Sequence, residues 1–181
     1  MAGINRAFST YVNLSESRKN SGIKCVFLSH QKSDSDTCKK IAEYLLAADI
    51  DVYFDENDND LKIYRQTGNP QGVVDSIKKG INKSSHMLVV VSPNTIYSKW
   101  VPWEVGYAYD NTTLGVLTLK GLPDSNLEAY LKTVPIIRGT KSLNEYISNI
   151  SGSYVSLMES VRRIKAFNQT HPLDDYLDWN Q

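Results

Sequence analysis

The sequence predicts an α/β fold in which a parallel sheet of about five strands is flanked by helices. Short apolar runs rich in Val, Ile and Leu alternate along the chain with segments whose apolar residues recur every three or four positions. This alternation is typical of right-handed βαβ units and favours a flavodoxin-like sheet. The chain has 181 residues, of which 41% are hydrophobic and 22% charged, as expected for one well-buried globular domain.

Five short apolar runs are the predicted strands. The first, Ile-Lys-Cys-Val-Phe-Leu-Ser, is almost continuously apolar, which indicates a central strand buried on both faces. The third contains Met-Leu-Val-Val-Val and ends at Ser92-Pro93, because proline cannot continue a central strand. The predicted strands cover residues 23–29, 50–54, 86–92, 114–119 and 134–137.

Helices are predicted between these strands and at both ends of the chain. Ser35 or Asp36 is positioned to cap the first intervening helix. The apolar residues Ile4 and Phe8, followed by Tyr11 or Val12, predict a short amphipathic N-terminal helix. The remaining helices are expected around 73–81, 97–109, 140–151 and 154–167. We therefore divide the chain into an N-terminal extension (1–22), one domain (23–150) and a C-terminal helix and tail (151–181).

The composition argues against several classes of partner. The chain has 20 acidic and 20 basic residues, and this zero net charge removes the general electrostatic argument for a nucleic acid or an acidic membrane. No apolar run approaches the roughly 18 residues of a membrane span. Two cysteines and three histidines are scattered without metal-ligand spacing, so we expect no metal and no disulfide framework. Neither the GxGxxG dinucleotide motif nor the GxxxxGK(S/T) P-loop motif occurs, and we expect no bound cofactor. We interpret the protein as cytoplasmic.

The segment 55–72 is predicted to be a long functional loop, because it has neither helical nor strand periodicity. Its alternating acids suggest a calcium loop, but Asp60 stands where an EF-hand requires Gly, and the final Glu is absent. Asp55 also suggests the phosphate acceptor of a receiver domain. Ser29 and His30, however, occupy the positions of the acidic pair that would hold magnesium there.

Ligands of parallel α/β sheets bind at the carboxyl ends of the strands. That rule selects Ser29 and His30 after the first strand, Asp55 after the second and Ser92 after the third. We expect these four residues to line a substrate cleft.

Glu104 is the candidate catalytic residue. The stretch Ser98-Lys-Trp-Val-Pro-Trp-Glu places one acid beside two tryptophans just beyond the third strand. A carboxylate beside indole rings is partly desolvated, which raises its pKa and lets it contact a developing cation closely. The alternative is a solvated glutamate on a helix surface with Trp100 in the core, and the local pattern leaves both possibilities open.

The strand Cys-Val-Phe-Leu-Ser-His, the long segment after Val-Tyr-Phe-Asp and the element Trp100-x-x-x-Glu104 together resemble a TIR domain over about residues 23–150. In detail the chain is similar to the bacterial TIR branch, and within it to the TIR proteins of the Thoeris anti-phage system. Val101-Pro102 departs from the pattern of many TIR domains, which have a cysteine after the tryptophan.

The resemblance implies an enzyme that cleaves NAD+, as a substrate and not a cofactor, at the nicotinamide ribosyl bond. It assigns catalysis to Glu104, and it places Trp100, Ser29, His30 and Asp55 in the nucleotide cleft. It further implies self-assembly through TIR surfaces and a cyclic ADP-ribose isomer that activates a partner effector. The alternative is a non-catalytic TIR scaffold in which Glu104 is structural.

Overall fold

The computed structural model describes residues 3–8, 12–151 and 171–178. Five parallel strands form one sheet in the order β2-β1-β3-β4-β5, which confirms the predicted flavodoxin-like fold. The first strand is interior, as its continuous apolar sequence requires. The strands are β1 Cys25–Ser29, β2 Asp51–Tyr53, β3 His86–Val91, β4 Thr113–Thr118 and β5 Ile136–Ile137.

Helices cover both faces of the sheet. Side chains alternate between the faces along each strand, so Val26 and Leu28 pack with α2 and α6, whereas Cys25 and Phe27 pack with α4. Both faces are therefore apolar, as expected for a parallel sheet. The helices of the described residues are α1 Val12–Asn20, α2 Ser35–Ala47, α3 Asn59–Gln66, α4 Pro70–Asn82, α5 Val101–Ala108 and α6 Thr140–Ser151.

The predicted cap of α2 is wrong by one residue. The helix begins at Ser35, so the N-cap position belongs to Asp34. The Asp34 carboxylate makes no capping bond; instead it accepts hydrogen bonds from Ser92 Oγ at 2.6 Å and Asn94 Nδ2 at 3.1 Å. Asp34 thus ties the start of α2 to the end of β3, a long-range contact that local sequence does not reveal.

The prediction of a long loop over 55–72 is also wrong. A short 3₁₀ turn, Asp55–Asn57, leads into α3, and α4 begins at Pro70. Both helices are capped: the Asp58 carboxylate accepts from the Leu61 N–H at 3.1 Å, and the Asn69 amide oxygen accepts from the Gly72 N–H at 3.0 Å. The segment that follows β2 is therefore built mainly of two capped helices.

The predicted N-terminal helix, based on Ile4, Phe8 and Tyr11 or Val12, is wrong over residues 4–8. Residues 3–8 are not helical: Asn5 forms a parallel bridge with Val52 of β2, and the Arg6 N–H donates to the Val52 carbonyl at 2.8 Å. Helix α1 follows. Arg6 and Arg18 converge on Asp51, which is fully buried, with N···O distances of 2.8 and 2.6 Å. These ion pairs fix the extension against the β2 edge of the sheet.

The segment 171–178 also belongs to the core. Leu173 and Leu177 are fully buried against the α2 and α6 face of the sheet. Gly139 bridges Asp178, and the Lys120 N–H donates to the Tyr176 carbonyl at 2.7 Å. The helix predicted over 154–167 lies outside the described residues. Among the helices that are described, none has the length and apolar character needed to span a membrane.

Candidate functional site

Glu104 lies at the carboxyl edge of the sheet. It is on α5, and Ser98 Oγ, in the turn before this helix, accepts from the N–H of its first residue, Val101, at 3.1 Å. The side chain is buried, with 5% of the residue exposed, and one carboxylate oxygen accepts a 2.6 Å hydrogen bond from the hydroxyl of Ser29 at the end of β1. The predicted catalytic residue and one predicted cleft residue are therefore in direct contact.

The surroundings of Glu104 favour its protonated form. Burial is the largest cause and the negative charge of Asp55 is the second, and the pKa of its carboxyl is raised from 4.5 to about 8. The Ser29 hydrogen bond and the positive charge of Arg65 act in the opposite direction. A carboxyl that titrates near neutrality beside a second acid is common at catalytic sites and unusual on a helix surface.

Asp55 follows β2 and faces the same site. It is 7% exposed, and its Oδ2 accepts a 3.1 Å hydrogen bond from Arg65 of α3. Its Oδ1 is buried and has no hydrogen-bond partner among the residues described. Arg65 was not predicted, because 55–72 was interpreted as a loop; the cap residue Asp58 was the signal that could have placed it on a helix.

His30 forms the wall beside Asp55. Its Nδ1 lies 3.1 Å from the Leu28 carbonyl and 4.0 Å from Asp55 Oδ1, and its side chain is only 3% exposed. The ring packs against Phe54 with 5.2 Å between ring centroids. His30 therefore packs beside Asp55 without a hydrogen bond to it, and it has little surface of its own for a ligand.

A divalent cation is chemically compatible with one part of this wall. One ring nitrogen of His30 and one oxygen each from Asp55 and Glu56 lie within 4.8 Å of one another. Imidazole and carboxylate are suitable ligands for Zn²⁺ or Mn²⁺. The Arg65 guanidinium, 3.1 Å from Asp55 Oδ2, would compete with such a cation for the Asp55 carboxylate.

Ser92 lies in a neighbouring network. Its hydroxyl donates to Asp34 and accepts from the Asn94 N–H at 3.0 Å, which holds the turn after β3. No hydrogen bond among the described residues joins Ser92 to Glu104. The structure thus brings Ser29, His30, Asp55 and Glu104 into one cluster and leaves Ser92 at its margin.

Trp100 is the exposed aromatic residue nearest to Glu104 along the chain. Its carbonyl accepts from the Glu104 N–H at 2.8 Å, and the residue is 38% exposed. Trp103, in contrast, stacks on Tyr107 with 5.8 Å between centroids and 5° between the ring planes. The alternative of a solvated Glu104 with Trp100 in the core is therefore the reverse of what the structure shows.

The family model for the TIR domain matches residues 26–145, about two thirds of the chain. The chain belongs to the TIR domain family. No curated protein matches it. TIR domains in general self-associate, and many of them bind and cleave NAD+. The matched range includes every predicted site residue, from Ser29 to Glu104.

Proposed function

We propose that this TIR domain cleaves NAD+ at the bond between nicotinamide and ribose, with Glu104 as the catalytic residue. The observation that carries the proposal is the burial of Glu104 at the carboxyl edge of the sheet, in contact with Ser29. Membership of the TIR family supports the choice of substrate. No bound cofactor is needed, because NAD+ itself supplies the reactive bond.

The reaction needs one carboxylate. The bond from ribose C1′ to the pyridinium nitrogen breaks with its electron pair going to nitrogen, so nicotinamide leaves as a neutral molecule without a general acid. Positive charge develops on the ribose, as in glycosidase transition states. Ionised Glu104 stabilises that charge in a site with little water. The positive pyridinium of the substrate favours this ionised form as it binds.

The fate of the ribosyl cation decides the product. Attack by water gives ADP-ribose, and attack by a nitrogen of the adenine in the same molecule gives a cyclic isomer. Trp100, which is 38% exposed and meets the Trp103 ring edge-on with 5.9 Å between centroids, is the aromatic side chain on which we expect the adenine to stack. We propose that the cyclic isomer is the signal and that it activates a separate effector in an anti-phage system of the Thoeris type.

The direct test is Glu104→Gln, which removes the charge and retains the size of the side chain. We expect nicotinamide release from NAD+ to fall at least about a hundredfold, the usual effect of removing a transition-state contact. Glu145→Gln, an exposed site on α6, is the matched control and should retain wild-type activity. Wild-type turnover by folded Glu104→Gln protein would exclude Glu104 as the catalytic residue.

The messenger is tested separately from cleavage. A protein-free filtrate from phage-infected cells that express this chain should activate the effector in vitro, and a filtrate from Glu104→Gln cells should not. Mass analysis of the two filtrates identifies the product. An inert wild-type filtrate, together with activation by the purified protein itself, would contradict the messenger.

A non-catalytic scaffold is the second candidate, and one surface favours it. Ile96 and Tyr97, in the turn after β3, are 59% and 74% exposed and lie just before Trp100 in the chain. Large apolar side chains exposed together are common at protein contacts. Under this function Ile96→Asp would abolish self-association and signalling, whereas Glu104→Gln would leave both intact.

A further inference from the structure

Arg65 is a basic side chain at the candidate site, and only some of its N–H groups are hydrogen-bonded there. It lies in the last turn of α3, and its Nη2 donates to Asp55 Oδ2 at 3.1 Å. The side chain retains 34% of its exposure. A guanidinium carries five N–H donors, and among the described residues Asp55 is the only side chain that accepts from this one. Donors therefore remain free on the side of Arg65 that faces solvent.

The charges around Glu104 make this cation significant. Asp55 and Arg65 are the charged side chains of the described residues that act on the Glu104 carboxyl, with opposite signs. Asp34 and Glu56 add further acidic groups at the ends of the strands. A dinucleotide brings a diphosphate with two negative charges, which such an edge would repel without a cation.

The positions of the scissile bond and the diphosphate in NAD+ correspond to the positions of Glu104 and Arg65 in the site. In NAD+ the scissile C1′ is separated from the diphosphate by one ribose. In the protein, Arg65 is held by Asp55, which itself neighbours the Glu104 carboxyl. When a carboxylate holds one edge of a guanidinium, the N–H groups on its other edge point in a fixed direction. These planar N–H groups match the spacing of phosphate oxygens.

We propose that Arg65 binds the diphosphate of the dinucleotide and makes the site select NAD+ over nicotinamide ribosides that lack a phosphate. This inference rests on the proposed cleavage of NAD+ and names the part of the substrate that is recognised. Arg65 is a specificity residue here, and Asp55 orients it. Glu104 keeps its role at the ribosyl bond.

The test compares substrates that share the same scissile bond. NAD+ carries a diphosphate, nicotinamide mononucleotide a monophosphate and nicotinamide riboside neither. We expect Arg65→Gln to lower kcat/KM for NAD+ by about 10- to 100-fold, the effect of one charge-assisted contact. It should change kcat/KM for the riboside less than about twofold, and the mononucleotide should fall between. Arg65→Lys should restore part of the loss, because it keeps the charge without the fork.

Comparing substrates on one enzyme removes indirect effects. Loss of Arg65 also changes the field at Asp55 and Glu104, but that change acts on the shared bond of all three substrates and cancels in their ratio. Lys62→Gln is the matched control: Lys62 is exposed on the same helix, and its loss removes the same charge. It should leave the preference for NAD+ within about twofold of wild type.

Binding measurements compare ligands with and without a diphosphate and do not depend on the cleavage reaction. By calorimetry on the full chain, Arg65→Gln should weaken ADP-ribose by the same factor and leave adenosine unchanged. Equal losses for every substrate and ligand, or an equal effect of Lys62→Gln, would overturn the assignment of Arg65 while NAD+ cleavage stands. A wild-type protein that neither cleaves NAD+ nor binds ADP-ribose would instead refute the proposed function itself.

Discussion

Replacement of Glu104 by Gln is expected to stabilise the folded protein at neutral pH. In the folded state, burial and the charge of Asp55 raise the pKa of Glu104 to about 8, compared with 4.5 for the carboxyl in water. The folded protein therefore binds more protons than the unfolded chain between these two values. By linkage, its free energy of unfolding falls as the pH rises from 4.5 towards 8.

The magnitude follows from the difference between the two pKa values. One pKa unit corresponds to about 1.36 kcal/mol. The titration of Glu104 thus destabilises the fold by under about 1 kcal/mol at pH 5, about 3 kcal/mol at pH 7 and about 4 kcal/mol at pH 8. Gln does not titrate, so the variant is free of this contribution at every pH.

The assay is urea unfolding of both proteins at several pH values, with the free energy obtained by linear extrapolation. Any fixed effect of the Gln amide shifts the variant equally at all pH values, so only the pH dependence of the difference is informative. We expect the difference to grow by about 3 kcal/mol in favour of Glu104→Gln between pH 5 and pH 8. Glu145→Gln, exposed on α6, should show a nearly constant difference from wild type.

A difference between wild type and Glu104→Gln that does not change with pH would refute this reasoning. It would mean that Glu104 titrates near its ordinary value in the folded protein. Neither the burial nor the neighbouring Asp55 would then control its charge.

Three further outcomes are expected. Asp55→Asn should move the rise of kcat/KM for NAD+ to lower pH, because it removes a charge that raises the pKa of Glu104, and Ser29→Ala should move it to higher pH; pH profiles of nicotinamide release test both. Trp100→Ala should increase the share of linear ADP-ribose over the cyclic isomer, measured by chromatography, whereas Trp100→Phe should not. Asp51→Asn should destabilise the fold by about 3–5 kcal/mol, measured by urea unfolding, because it leaves two buried guanidinium groups without their carboxylate.

The strands could be predicted from the sequence because nearly all of their residues are buried. All five residues of β1 are buried, and so are the last five of β3. A continuous apolar run therefore predicts such a strand correctly. Helix α2 was equally clear, since Cys38, Ile41, Ala42 and Leu45 lie buried on one stripe.

Helix α3 could not be predicted in the same way. Its one buried residue is Leu61, and one apolar contact gives no period. The start of the helix is instead marked by the cap at Asp58. In a segment with several acidic residues, the sequence does not show which one of them is the cap. Because α3 was not predicted, Arg65 could not be assigned to the site. The direction of a side chain cannot be predicted from sequence when its segment is interpreted as a loop.

Contacts between distant segments are a second class that the sequence could not reveal. Arg6 and Arg18 lie 45 and 33 residues from Asp51, and nothing in their local patterns connects them. Glu104 and Ser29 are 75 residues apart. They come together because the topology of a parallel sheet brings the ends of its strands to one edge whatever their separation along the chain.

Stability and activity of the same variant separate the two candidate functions. A buried acid beside a second acid lowers stability at neutral pH, and an enzyme tolerates this because the ionised group acts on a cation during the reaction. In a scaffold, Glu104→Gln would raise stability and leave assembly and signalling unchanged. In the proposed enzyme, the same substitution raises stability and abolishes cleavage of NAD+. An increase in the stability of Glu104→Gln would therefore show only that Glu104 is buried. A loss of NAD+ cleavage in the same variant would show that Glu104 is catalytic.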